Sequence, residues 1–267
     1  MRPGVLAQVT LAIVLPFVLS GCASHPPEPR PRSAAGSNEE QRNAEFLAAA
    51  QRGDAQAQAE VGRMYEQGRG VTKDYTEARR WFLKAARQGD AHAQFALGMH
   101  NCLGLGQPKN DAEAVKWLRK ASDQGLAIAQ YQLGAMYQQG RGVDQDYAEA
   151  VKLARLAAEQ GLAGFMGDVE GLTKTQLFLF AAYQQGIGAP QSDVEAMKWA
   201  RLAAEQGSAS GQAIVGFAYL EGRGVRQDNR EAEAWLRRAA AQRIENPDLA
   251  KSVRAALTDI EERAKNR

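Results

Sequence analysis

Few residues in the sequence have the types and spacing that catalysis or metal binding requires. The three histidines, His25, His92 and His100, belong to no His-Glu-x-x-His pattern and lie beside no metal-spaced cysteines. Residues 207–211 read Gly-Ser-Ala-Ser-Gly, but Ala209 stands where a hydrolase elbow carries its serine nucleophile. We therefore predict a chain that is not an enzyme, with no catalytic residue, no metal ligand and no cofactor.

One residue near the N-terminus, Cys22, has the surroundings of a modification site. Residues 5–19 are apolar, a run of 15 that is short for a membrane span and typical of an export signal. Residues 19–22, Leu-Ser-Gly-Cys, resemble the lipobox of bacterial lipoproteins. The resemblance implies a signal peptide at 1–21 and a diacylglycerol on Cys22. An ordinary secretory signal with a chance cysteine is the alternative.

The residues after Cys22 predict where the protein resides. Ala23, where an Asp would retain a lipoprotein at the inner membrane, resembles the pattern for the outer membrane, facing the periplasm. Residues 22–38 are rich in Pro, Ser and Gly and cannot bury a core. At roughly 3.1 Å per residue, this tether could hold the folded part up to about 50 Å from the membrane.

Composition excludes some classes of protein. The formal net charge is +2 with 24% charged residues, so charge gives no reason to expect a nucleic-acid partner. The chain has two cysteines, and if Cys22 is acylated then Cys102 has no disulfide partner within the chain. We expect Cys102 to be a small buried apolar residue.

Three sets of markers repeat along the chain in a common phase. A Leu/Val-Gly-x-x-Tyr pattern begins at residues 61, 97, 133, 179 and 215, with spacings of 36, 36, 46 and 36. A tryptophan or leucine at 81, 117, 153, 199 and 235 keeps these spacings, and so does an Ala-Ala-x-Gln-Gly pattern that begins at residue 85. A fixed period of this length indicates stacked repeats of one structural unit.

Each unit is predicted to form two antiparallel helices. The first, such as residues 55–67, ends at Gly68, because glycine permits the left-handed backbone that ends helices. The second begins near Asp74 and places Ala78, Trp81 and Ala85 on its inward surface. One such hairpin cannot cover its own apolar face, so we expect each to be covered by the next.

These motifs resemble Sel-1-like repeats (SLR), relatives of the tetratricopeptide repeat. The resemblance implies an all-α fold, an α-α superhelix (solenoid) of about five antiparallel helix-pair repeats. The repeats are expected at 54–89, 90–125, 126–161, 162–207 and 208–243, between capping helices at 39–53 and 244–267. Phe180 departs from the pattern, because it stands where the other units have a helix glycine.

The fourth unit contains ten additional residues within 164–173. Three glycines there are expected to interrupt any continuous helix. The segment is either a tolerated surface insertion or a protruding loop whose Phe165 and Met166 contact a partner.

One stripe of the first helices carries large apolar residues that the repeat pattern does not require. Two positions four residues apart share a face of these helices and hold Phe95, Met99, Tyr131, Leu177 and Phe217. In SLR and related solenoids the first helices line the concave surface, so the resemblance implies a recognition groove there. Aromatic and methionine anchors are typical of protein interfaces. Packing between successive repeats is the alternative.

Taken together, these features favour an envelope protein that binds another protein. The resemblance to SLR lipoproteins implies either an immunity protein against a toxic effector, such as a type VI secretion phospholipase, or an adaptor for envelope assembly. The alternative is a cell-wall or β-lactam hydrolase of the SLR family, for which the sequence offers no catalytic residue.

Overall fold

The computed structural model describes residues 36–161 and 168–265, without the side chains of 36–39 and 264. Cys22, Phe165, Met166, the signal peptide and residues 22–35 of the tether lie outside these ranges. Within them the chain forms twelve α-helices and no strand, so the predicted all-α class is confirmed. The helices are α1 Gly36–Gln51, α2 Ala55–Gln67, α3 Tyr75–Arg87, α4 Ala91–Leu103, α5 Asp111–Asp123, α6 Ala127–Gln139, α7 Tyr147–Glu159, α8 Val169–Gln185, α9 Asp193–Glu205, α10 Ala209–Glu221, α11 Asn229–Ala240 and α12 Pro247–Lys265.

The described residues divide into two compact units, 36–145 with α1–α6 and 146–265 with α7–α12. In each unit consecutive helices pack as hairpins, and each hairpin packs on the next. None of the described helices combines the length and the apolar character that a bilayer crossing requires.

Local sequence sets the helix ends. Glycine in the left-handed conformation follows each of the first helices α2, α4, α6, α8 and α10. Most helices begin after a short polar side chain that accepts from the first turn, as Asp74 does from the amides of Thr76 and Glu77 at the start of α3, whereas α6 begins after Leu126 without such a bond. Such a cap contributes about 1 kcal/mol. Because these signals are local, they explain why the helix bounds follow the predicted repeat.

Within a hairpin, glycine on the first helix faces a bulky residue on the second. A Cβ on Gly62 would lie 2.6 Å from the ring of Phe82, and one on Gly98 the same distance from Leu118. Phe82 and Leu118 are fully buried, whereas Trp81 is only half-buried. The expectation that Trp81 points inward was therefore only partly right, because the core position is the residue after it.

The fourth hairpin reverses this pairing of small and large residues. Phe180 replaces the helix glycine, and Ala200 stands 20 residues later, where three other repeats have Phe82, Leu118 or Leu236 and the third repeat has Ala154. Both Phe180 and Ala200 are buried, at 2% and 0% exposure. The large buried side chain of this hairpin therefore lies on the first helix and the small one on the second.

The loops after the first helices hold neighbouring hairpins together. Gly142 has φ +68°, and a Cβ there would lie 2.3 Å from the carbonyl of Asp111, at the start of α5. The guanidinium of Arg141 donates to both carboxylate oxygens of Asp111, at 2.8 and 3.3 Å. In the other unit Arg223 contacts Asp193 in the same way.

The end helices lie as extensions of the repeat. Gln58 donates to the carbonyl of Ala50 in α1, as Gln94 donates to that of Ala86 in α3, so α1 occupies the place of a second helix. It begins at Gly36, three residues before the expected start of the cap. At the other end Leu249 and Val253 of α12 are buried, and α12 packs against α11.

The described part of the insertion is helical. Residues 169–173 form the first turns of α8, and the Asp168 side chain accepts from the amide of Gly171. Gly171 therefore lies inside a helix, and the expectation that it would interrupt one was wrong, because Asp168 caps the helix start.

Candidate protein-binding surface

A ladder of glutamine side chains positions the first helices. The amide of Gln124 donates to Oε1 of Gln94 at 2.8 Å, and Gln94 donates to the carbonyl of Ala86 at 3.2 Å. Gln88 and Gln58 form the same contact one repeat earlier, and Gln242 and Gln212 form it in the other unit. Each link joins the ends of two second helices through the first helix between them. Because the glutamines of the first helices, Gln58, Gln94 and Gln212, are buried, these bonds satisfy their polar groups and fix the spacing of the hairpins.

In the unit 36–145, the predicted contact residues differ in exposure. Phe95 on α4 is half-buried, so part of its ring is accessible. Met99 and Tyr131 are each 7% exposed. Of these three, Phe95 offers the most side-chain surface. A role in binding stays a prediction for all three.

In the unit 146–265, the predicted contact residues are buried. Leu177 on α8 is 4% exposed and Phe217 on α10 is 1% exposed. A partner could reach either side chain only if the residues that cover it moved. Their role in binding also stays a prediction.

The unit 36–145 also carries an open depression that sequence reasoning missed. It has a volume of about 510 Å³ and lies at the N-terminal ends of α2 and α4. Arg63 lies one repeat, 36 residues, before Met99 and so occupies the equivalent position on α2. His92 lies three residues before Phe95 on α4. Aligning Arg63 with Met99 would have placed it on the candidate surface. The lining residues are Ala55, Gln56, Arg63, Gln88, Gly89, Asp90 and His92.

The charges in the depression are partly balanced. Arg63 donates to Glu60 on the same helix, with its Nε 2.8 Å from Oε2, and Arg69 contacts the other oxygen of Glu60. His92 is exposed. The depression thus presents the cation of Arg63, the amide of Gln56 and the carboxylate of Asp90, and Phe95 lies one turn of α4 after the lining residue His92. Aromatic and arginine side chains are enriched at protein interfaces.

Residues that could have suggested catalysis have structural roles. Ser208, in the Gly-Ser-Ala-Ser-Gly run, caps α10 by accepting from the amide of Gly211 at 3.2 Å. His100 is fully buried, with Nε2 2.9 Å from Oε1 of Glu66 and its ring edge-on to Phe82. Over residues 36–161 and 168–265, no three His, Cys, Asp or Glu side chains come together as metal ligands would.

Known proteins similar to the chain share this repeat. The Sel1 repeat family model matches residues 55–90, 91–126, 127–162, 174–208 and 209–243. Comparison with curated proteins gives no match. Among solved structures, a Sel1 repeat protein from Oxalobacter formigenes is 30% identical with a TM-score of 0.68, over 81% of this chain and 92% of that one.

A second solved structure is a protective antigen of uropathogenic Escherichia coli strains that displays an SLR fold. It is 39% identical with a TM-score of 0.66, over 74% of this chain, which spans 40% of the antigen's length. Sel1 repeat proteins are generally protein-binding scaffolds. The helix pairs, their spacing and the family match agree, and the chain belongs to the Sel1 repeat family.

Proposed function

We propose that this protein is a lipid-anchored binding protein that faces the periplasm and holds one protein partner on its first helices. The observation that carries the proposal is that α4 presents the half-buried Phe95 one helical turn after the exposed His92, which lines an open depression together with Arg63. A stable hairpin stack presents these groups without refolding, which lowers the entropic cost of binding. The family's general role as a scaffold supports the same function.

The chemistry of this surface predicts the chemistry of the partner. A half-buried phenylalanine favours an apolar side chain that fits against it, and burial of such an anchor dominates interface energetics. The N–H donors of Arg63 and His92 favour carbonyl or hydroxyl oxygens around that anchor, because Arg63 already pairs with Glu60 and Asp90 adds a negative charge to the depression. The partner therefore presents an apolar residue with carbonyl or hydroxyl groups beside it.

A lipid on Cys22 places the binding surface at the membrane. Acyl chains partition at roughly 0.8 kcal/mol per buried methylene, so a lipidated residue holds the protein at the membrane. Two forms of the function suit a tethered binder: an immunity protein that occupies a toxic effector, such as a type VI secretion phospholipase, or an adaptor for envelope assembly. Co-expression with the captured partner separates them, because only an immunity protein restores growth to cells that carry a toxic partner.

Capture from envelope fractions tests the function. The bait is the chain from residue 22 with Cys22→Ala, which removes the acylation site, and the captured protein is identified by mass spectrometry. We expect one protein to be retained by this bait and lost with Phe95→Glu. The matched control is Thr76→Glu, which adds the same charge to an exposed position of α3. Equal retention by all three baits would contradict the proposed surface.

A further inference from the structure

The outward face of the second helices in the unit 36–145 is basic. The exposed positions of α3 and α5 carry six cations with few acids among them. Two of the acids, Glu77 and Glu113, each pair with one cation, and Asp123 lies at the end of α5. The face therefore has an excess of positive charge. The six cations are Arg80, Lys84, Arg87, Lys116, Arg119 and Lys120.

Tryptophan rings lie at the boundary between this charge and the core. The ammonium of Lys84 is 3.8 Å from the centroid of Trp81, and that of Lys120 is 4.5 Å from the centroid of Trp117. Trp117 packs on the same buried cluster as Leu83, so the faces of α3 and α5 are neighbours. Each ring is half-buried, with a cation above it in water.

Two second helices of the unit 146–265, α7 and α9, lack this arrangement. Leu156 on α7 and Leu202 on α9 occupy the repeat positions of Lys84 and Lys120, and Glu159 and Glu205 occupy the position of Arg87. On α11 the guanidinium of Arg238 lies 4.7 Å from the centroid of Trp235, but the position of Arg87 is Ala241. The repeat architecture does not itself require the basic face, because α7 and α9 are second helices of the same length without it.

We propose that the outward face of α3 and α5 docks on the anionic phospholipid headgroups of a bilayer. Its cations are spread over two helices, which suits a plane of phosphates more than a single bound anion. Lysine stems and tryptophan rings that lie under charged groups match the polar-to-apolar boundary of a membrane surface.

This inference goes beyond the proposed function, because it uses the second helices and leaves the first helices to the protein partner. Surface docking would also supplement the anchor at Cys22, since a second attachment stabilises membrane binding. It does not depend on the anchor, so the two are tested apart.

Vesicle binding tests the proposal. The chain from residue 22 with Cys22→Ala is mixed with phosphatidylcholine vesicles, with or without phosphatidylglycerol, and sedimented. We expect binding only to the anionic vesicles, with loss at high salt. Each cation near an anionic surface changes partitioning about fivefold. Removing three, with Lys84→Gln, Arg87→Gln and Lys120→Gln, is therefore expected to weaken binding more than about tenfold.

A matched variant separates this face from net charge. Lys152→Gln, Arg155→Gln and Lys198→Gln remove the same three charges from exposed positions of α7 and α9. We expect this variant to bind within about twofold of the parent. Equal loss with both variants, or equal binding to neutral vesicles, would overturn the proposal.

The α3 and α5 variant is also used as bait for the protein partner. Normal capture together with lost vesicle binding supports the lipid surface. Lost capture without vesicle binding by the parent would assign the face to an acidic protein and overturn the lipid proposal. Failure of capture by every bait would contradict the proposed function while leaving the vesicle result intact.

Discussion

Glu66 on α2 and His100 on α4 form a polar link between two repeats inside the hairpin core. Nε2 of His100 lies 2.9 Å from Oε1 of Glu66, and the imidazole is fully buried between the edges of Tyr75 and Phe82. In the next repeat the same positions hold Cys102 and Met136, whose sulfur atoms are 3.9 Å apart. The first pair of hairpins is thus joined by a hydrogen bond where the next has an apolar contact.

A double-mutant cycle measures this link. We expect Glu66→Ala and His100→Ala to show a coupling free energy of about 1–3 kcal/mol in urea unfolding, because each change leaves a polar group without its partner. The exposed pair Glu113 and Lys116 is the control, with an expected coupling below about 0.5 kcal/mol. Additive effects at Glu66 and His100 would contradict the assignment.

In the fourth hairpin the large residue, Phe180, lies on the first helix and the small one, Ala200, on the second. We expect that exchanging these sizes between the two helices restores stability lost by changing Phe180 alone. Phe180→Gly leaves a cavity and is expected to lower the free energy of unfolding by about 3–5 kcal/mol. Ala200→Leu alone crowds the ring of Phe180 and is expected to cost about 1–3 kcal/mol. The double variant recreates the Gly98 and Leu118 arrangement, so it should be more stable than Phe180→Gly, as measured by thermal unfolding. If the two costs simply add, the two side chains do not share one space.

The close approach of Gly142 to α5 is tested against a glycine in open space. Gly89 has φ +97° and nothing within 4 Å of an added Cβ, so Gly89→Ala reports backbone strain alone. We expect that change to cost about 1–2 kcal/mol. Gly142→Ala adds a clash with the carbonyl of Asp111 and should cost at least about twice as much in urea unfolding. Equal costs for the two variants would mean that the loop contact contributes nothing.

Metabolic labelling tests the predicted acylation. Cells that express the chain and take up labelled palmitate are expected to label the protein, because residues 19–22 resemble a lipobox. Cys22→Ala should abolish the label, because it removes the thiol to which the lipid is attached. Cys102→Ala is the control and should leave the label unchanged. A label that persists in Cys22→Ala would exclude this site.

Local signals explain how much of the fold could be predicted. Gly68 and Asp74 end and begin helices through contacts within a few residues, so the repeat spacing gave helix bounds that the structure confirms. These local signals do not predict whether Trp81 or Phe82 is the buried core residue of α3. Adjacent residues on a helix differ by 100° in direction, and the first helix that faces them decides which one is buried.

Contacts between distant residues explain what the sequence did not predict. Phe180 and Ala200 are both buried although they are 20 residues apart, and their burial follows from the packing of the hairpin. The depression at the ends of α2 and α4 forms from two helices and the turn between hairpins, so no single segment predicts it. The burial of Phe217 likewise depends on tertiary packing, although its type and spacing are those of a contact residue.

The affinity of the captured partner for variants of α4 tests the central claim most directly. By calorimetry with the purified partner, Phe95→Glu is expected to weaken binding by at least about tenfold, since loss of an aromatic anchor costs about 2 kcal/mol or more. Thr76→Glu, at an exposed position of α3, should leave the affinity within about twofold. Unchanged affinity for Phe95→Glu, or loss for Thr76→Glu alone, would contradict a binding surface on the first helices.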